Sequence, residues 1–138
     1  MDDTDRKLIS LLRANARAPV AALAKALKVS RGTVQNRIDR MTARGDIAGF
    51  TVRVRDETQR VRAIMAIAVE GERSAAVLRA LRGFPQIEAV HMTNGRWDML
   101  AELNTEGLND FSRLLDSIRL IEGISATETS LLLTTHHL

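Results

Sequence analysis

The stretch from Leu23 to Gly45, LAKALKVSRGTVQNRIDRMTARG, constrains this chain more than any other. It reads as a short helix, a tight turn through Lys28, and a longer second helix. Ser30 is a good N-cap, because its side-chain oxygen can accept from a free backbone N–H in the first turn. Gly45 stands where a left-handed C-terminal stop is wanted. Between them Val34, Ile38 and Met41 recur at i, i+4 and i+7, which makes one apolar stripe. At about 100° per residue, Gly32, Asn36 and Ala43 fall opposite that stripe, and Arg31, Gln35 and Arg40 flank it. An apolar back and a cationic, polar front suit a helix lying in a DNA major groove, where Arg and Asn or Gln can grip guanine and adenine edges. The whole unit reads as a helix-turn-helix. On this stretch alone a surface helix of an ordinary bundle remains the alternative.

The rest of the unit agrees with that layout. Residues 2–15 read as a first helix, capped by Asp2 or Thr4, with early Asp residues at the positive end of the helix dipole. Leu8, Ile9, Leu11 and Leu12 give it a wide buried face. Pro19 suits the first turn of the next helix, whose expected apolar face is Ala22, Leu23, Ala26 and Leu27. Lys28 must adopt the positive φ that such turns often give to Gly, at a cost of about 1 kcal/mol. After Gly45, the run IAGFTVRVR alternates Phe50, Val52 and Val54 with Thr51, Arg53 and Arg55, the period of a strand: a wing, or the first strand of a linker. Its arginines fit phosphates, or equally the solvated edge of a sheet. The polar DETQR at 56–60 is the natural boundary. The expected division is 1–50 for the helix-turn-helix, 51–60 for a linker strand and 61–138 for a second domain.

Charge divides the same way. The net charge is +3. Residues 1–60 hold 13 Lys and Arg against 7 Asp and Glu, whereas residues 61–138 hold 7 Arg against 10 Asp and Glu. A basic half suited to polyanions is thus joined to a mildly acidic half. With no Cys, disulfides and thiolate metal sites are excluded. His91, His136 and His137 are too few and too badly spaced for a metal cage, so no metal and no cofactor is expected. There is no Ser-His-Asp or Cys-His set and no phosphate-cradling Gly loop, so an enzyme is not expected either. The acidic start lacks the apolar run of a signal peptide. Nothing approaches the ~18 apolar residues of a membrane span. A cytoplasmic location is the default.

The second half reads as strand, helix, strand, strand, helix, strand: Ala63–Val69, Ser74–Arg82, Ile87–Thr93, Met99–Leu103, a helix through Leu108, Phe111, Leu114, Leu115 and Ile118, and Ile124–Leu133. This is the split-βαβ, ferredoxin-like pattern, an antiparallel sheet with helices on one face. The other face is left to be covered, most simply by a second copy. The connection N-G-R-W-D at 94–98 has two readings. Asn94-Gly95 is a strong type I′ hairpin signal, with Asp98 bonding the turn. Alternatively, backbone N–H groups at a Gly turn receive a carboxylate and Asp98 meets an ammonium; an amino acid carries both groups. Trp97 is either a pocket wall or an interface anchor. Thr127 and Thr129 share one face of the last strand and can offer hydroxyls to the same pocket, or simply face water.

These residues, in this order, resemble the leucine-responsive (Lrp/AsnC, feast/famine) transcription regulators of bacteria and archaea. Asp2 with Asp5-Arg6-Lys7 resembles the family's opening. Arg17, Leu23-Ala24, Val29-Ser30, Val34, Arg37, Gly45, Ile47 and Gly49-Phe50 follow its helix-turn-helix. Gly95-Arg96-Trp97-Asp98 is similar to its G-x-x-D turn, and Gly123-Ile124 and Thr129 to its final strand. Lys28, Pro19 and Glu122 depart from it. The resemblance implies an α+β protein: a helix-turn-helix (winged-helix-like) DNA-binding domain followed by a ferredoxin-like βαββαβ effector and dimerisation domain. It implies double-stranded DNA, a small effector such as an amino acid, and further copies of the chain as partners, with no membrane. Candidate DNA contacts are Arg31, Thr33, Gln35, Asn36 and Arg40 for bases, with Ser30 at the helix start. Lys25, Lys28 and Arg44 are the candidates for phosphates. Arg37, beside the apolar stripe, meets either a phosphate or a nearby Asp. Candidate effector contacts are Asn94, Gly95, Arg96, Trp97, Asp98, Thr127 and Thr129. The rival reading is a metabolite-sensing subunit that acts on a partner protein.

Overall fold

A computed structural model describes residues 1–54 and 59–138. Its contacts divide the chain into two compact units, Met1–Val54 and Arg55–Leu138.

The first unit holds α1 (Asp3–Ala14), α2 (Val20–Leu27) and α3 (Arg31–Arg44). Each helix end has a local cause. The Asp2 side chain accepts from the Asp5 N–H at 2.8 Å and starts α1. Pro19 occupies the N-cap of α2, one place before the first turn, and its carbonyl accepts from Ala22 and Leu23. Lys28 takes the left-handed conformation at φ 58°, the only non-glycine to do so among the described residues. With it, the Val29 N–H returns to the Ala24 carbonyl at 3.1 Å and closes α2. Ser30 Oγ accepts from the Thr33 N–H at 3.1 Å, and Gly45 stops α3 at φ 83°.

Leu8, Val34 and Met41 are fully buried, joined by Leu12, Leu23 and Ala24, with Ile9, Leu11, Leu27, Ile38 and Ile47 packed around them. Two expectations about α2 fail: Ala22 and Ala26 are exposed. Its inward stripe is centred on Val20, Leu23, Ala24 and Leu27, which leaves those two alanines on the far side.

The expected strand after Gly45 is not formed over residues 47–54, and Arg55 lies outside the described residues. Phe50, Val52 and Val54 are exposed, and no described strand pairs with this segment. Alternation gives a strand its two faces, but only a partner satisfies its backbone groups. Neither the wing nor the linker strand over 51–60 is therefore seen in residues 51–54 or 59–60.

The second unit runs β1 (Val61–Val69), α4 (Ser74–Leu81), β2 (Ile87–Met92), β3 (Met99–Thr105), α5 (Leu108–Arg119) and β4 (Ile124–Leu131). The sheet order is β2-β3-β1-β4, with every neighbouring pair antiparallel. This is the expected ferredoxin-like topology. Ala63, Met65 and Ile67 of β1 and Met99, Ala101 and Leu103 of β3 face α4 and α5, which contribute Val77, Leu81, Phe111, Leu114 and Ile118. Leu108, expected inward, is exposed; it is the first residue of α5 and precedes the turn that packs. The opposite face carries Ile64, Ala66, Leu100 and Glu102, none of them fully buried.

Gly123 allows β4 to start. It sits at φ +101°, and a Cβ there would lie 3.0 Å from the Arg73 side chain and 3.2 Å from Val77 Cγ2. Gly123→Ala therefore combines backbone strain with a clash at a buried helix. It is expected to destabilise the second unit by about 1–3 kcal/mol, measured as a shift in the denaturation midpoint of the full chain.

Candidate nucleic-acid interface and ligand turn

Because Val34 and Met41 are buried, the opposite side of α3 faces outward. Arg31, Gln35, Asn36 and Arg40 are exposed and Thr33 is half-buried. Lys25 and Lys28, on the end of α2, are exposed too. Not all of these side chains stand free. Gln35 Nε2 donates to Asp39 Oδ1 at 2.9 Å, one turn on, and the Ser30 and Thr33 hydroxyls share a hydrogen bond of 2.8 Å. Ser30 spends its oxygen on the helix start, so its structural task is capping.

Arg37 settles on the aspartate side of its two alternatives. Its Nη1 donates to both oxygens of Asp2, at 2.8 and 2.7 Å, and to Asp5 Oδ1 at 3.0 Å. Arg44, a candidate phosphate contact, lies 3.0 Å from Asp46 Oδ2 and 3.6 Å from Asp5 Oδ2. Asp5 is only 6% exposed, and a carboxylate withdrawn from water to that degree needs cationic partners. A polar concavity of about 260 Å³ is lined by Met1, Asp2, Asp5, Arg37, Arg40 and Arg44. The Asp5–Arg44 contact was missed in the sequence. Its signal is spacing: Arg37 and Arg44 are seven apart on α3 and share a face, as do Asp2 and Asp5, three apart, on α1.

The ligand turn departs from its hairpin signal. Neither Asn94 nor Gly95 has positive φ, so the type I′ turn is not formed. Met92 pairs with Met99, and the connection closes through the Thr93 N–H to the Asp98 carbonyl at 3.1 Å. Four residues between those ends relax the demand that a two-residue turn would make. Thr93 Oγ1 braces it by donating to the Trp97 carbonyl and accepting from the Gly95 N–H at 3.3 Å. Asn94, Gly95 and Arg96 are exposed, Trp97 and Asp98 half-buried, and the Arg96 guanidinium lies 5.5 Å from the centre of the Trp97 ring. Asp98 is anchored to β1: its N–H donates to the Ile67 carbonyl at 2.9 Å, and its Oδ2 accepts from the Val69 N–H at 2.7 Å. No hydrogen bond to its Oδ1 is found among the described residues. Thr127 and Thr129 do not join this turn. They pair with Ile67 and Met65 on the helix-bearing face, two strand spacings, about 10 Å, from the Asp98 end of β3.

Among the described residues no group of His, Cys, Asp and Glu suits a metal ion, and no helix is long and apolar enough to cross a membrane.

Comparison with known proteins agrees with both units. The AsnC-type helix-turn-helix domain matches residues 1–42, and the Lrp/AsnC ligand binding domain matches residues 62–137. The transcriptional regulator LysM of Saccharolobus solfataricus is 29% identical over 136 residues, covering 98% of this chain and 95% of the relative. Escherichia coli AsnC shares the fold at a TM-score of 0.82 and 24% identity, covering 100% of this chain and 95% of that one. So does the feast or famine regulatory protein of Mycobacterium tuberculosis complexed with L-methionine, at 0.85 and 24%, covering 99% and 95%.

The Asp2–Arg37 contact has a measurable pH signature. The Arg37 guanidinium first, and then the Asp5 N–H, hold the Asp2 carboxyl below its ordinary value of 3.8. A depressed folded-state pKa contributes stability that is fully present above the unfolded value and lost as pH falls through the folded one. The thermal midpoint of the first unit is expected to be insensitive to this pair down to about pH 5 and to fall below about pH 4. Asp2→Asn should make that fall shallower in circular-dichroism melts of the full chain.

Proposed function

This chain belongs to the Lrp/AsnC family of transcriptional regulators, and on that premise we propose that it is a sequence-specific DNA-binding regulator, working as a homodimer or an assembly of dimers and tuned by an amino acid. Its relatives are named as regulators and not as enzymes. The observation that carries the reading is the outward side of α3, where Arg31, Asn36 and Arg40 are exposed while the apolar stripe is buried. Thr33 and Gln35 extend that side. Lys25 and Lys28 supply affinity through phosphates without reading sequence. Two such helices in a dimer meet half-sites about one helical turn apart. A sheet with both helices on one face, leaving Ile64, Ala66 and Leu100 partly exposed on the other, supports self-association. Such a regulator works where its DNA is, in the cytoplasm.

Asn36 offers the clean test. Asn36→Ala removes a bidentate adenine reader and no charge. Affinity for a duplex enriched from a randomised pool should drop by about 1–3 kcal/mol, with affinity for a scrambled duplex unchanged. Equal loss on both would remove Asn36 from the readers.

The effector reading rests on the turn at Asn94, Gly95, Arg96, Trp97 and Asp98. A domain of the ligand-binding type and a relative of the same fold that holds L-methionine both support it. Asp98 Oδ1 is suited to an ammonium and Arg96 to a carboxylate. Titration calorimetry with the twenty amino acids is expected to give heat for a subset. Asp98→Asn, which keeps an oxygen for the Val69 N–H, should abolish that heat without lowering the melting temperature. Heat from none of the twenty would sink the amino-acid reading.

A further inference from the structure

The apolar stripe of Val34 and Met41 sets which side of α3 is buried against Leu8, and the polar contacts between α1 and α3 bear on the fine setting of its roll. Base readout does not tolerate small changes of roll. With side chains included a helix has a radius of roughly 5–6 Å, so a 20° roll moves its outer surface by about 2 Å. Hydrogen bonds to base edges are made or lost within about 0.5 Å. Phosphate contacts from long, flexible Lys and Arg side chains follow such a shift.

The first turn of α1 supplies those polar contacts. Asp5 is 6% exposed and receives Arg37 at 3.0 Å on Oδ1 and Arg44 at 3.6 Å on Oδ2. Those arginines lie two turns apart on the flank of α3 beside Met41, so one carboxylate meets the helix at two heights. Asp2 takes the same Nη1 of Arg37 while its carboxylate also caps α1. The charge-assisted hydrogen bonds of Arg37 are directional where the apolar contacts are not, and the Arg44 ion pair at 3.6 Å adds a second, looser hold.

We propose that Asp5 is a positioning residue for base readout, fixing the roll of α3 through Arg37 and Arg44. The proposal rests on the DNA-binding reading above. It makes Arg37 and Arg44 internal partners of a carboxylate rather than phosphate contacts. Removing the charge of Asp5 then loosens the alignment of Asn36 and its neighbours, while Arg37 keeps Asp2 and Arg44 keeps Asp46 as partners.

The test measures Asp5→Asn in the full chain against two duplexes, one enriched by the wild-type chain from a randomised pool and one scrambled. Affinity for the enriched duplex should fall about tenfold or more. Affinity for the scrambled duplex and its log–log salt slope should hold, because Arg37 stays paired with Asp2 and Arg44 with Asp46. Simple loss of folded protein would lower both affinities together. That outcome overturns the proposal when circular dichroism shows the helices intact, as does an unchanged preference for the enriched duplex. If Asp5→Asn is unfolded at the assay temperature, Arg37→Lys decides. It keeps the charge, but its ammonium ends one bond short of Nη1, the atom that meets both Asp2 and Asp5, and the variant should lose the preference at an unchanged salt slope. A retained preference overturns the proposal. Wild-type chain that enriches no duplex at all overturns the DNA-binding reading instead.

Discussion

Burial of Val34 and Met41 is the constraint on which the first unit depends. A helix has one circumference, so committing that stripe to Leu8, Leu12 and Leu23 decides which side chains remain outside. Which residues stand on the outward face follows from this choice. The caps then fix its length: Ser30 starts α3 on its own hydroxyl, and Gly45 stops it in a conformation that other residues adopt only with strain. Lys28 accepts such strain at the preceding turn, where the closing hydrogen bond from Val29 to Ala24 offsets it.

The second unit applies the same one-sided logic to a sheet. β1 and β3 alternate buried and half-buried residues along their length, and α4 and α5 cover one side only. The ligand turn hangs from this sheet by Asp98, which continues the β1–β3 ladder through its backbone and reinforces it through Oδ2. A site carried on a ladder hydrogen bond is held more firmly than one on a free loop tip, because moving it requires breaking strand pairing.

Periodicity and capping made most of this legible. The Val34–Ile38–Met41 stripe, the Ser30 and Gly45 ends and the βαββαβ rhythm are local signals, and each element formed where its signal stood. What could not be read depends on partners remote in the chain. The alternating Phe50–Val54 run has strand periodicity, but periodicity says nothing about whether an edge is available to pair with. Asn94-Gly95 carries a turn signal, yet the distance between the Met92–Met99 pair and the turn leaves room for another geometry. The spacing of Thr127 and Thr129 puts them on one face, but which face is decided by the register of β4 on β1. The destination of Arg37 was open for the same reason: its partners stand more than thirty residues away, on α1.

Counting basic residues therefore misstates what the first unit offers to DNA. Arg37 and Arg44 add to its formal charge, but Asp2, Asp5 and Asp46 hold them. That cluster contains three carboxylates and two guanidiniums, so it gathers more negative than positive charge on the side of α3 that meets α1. Lys25, Lys28 and Arg31 are exposed and have no part in that cluster, whereas Arg40 lines the same concavity as Asp2 and Asp5. The asymmetry lies in where the charges are paired more than in how many there are: two of the arginines on α3 are already engaged by carboxylates of the same unit.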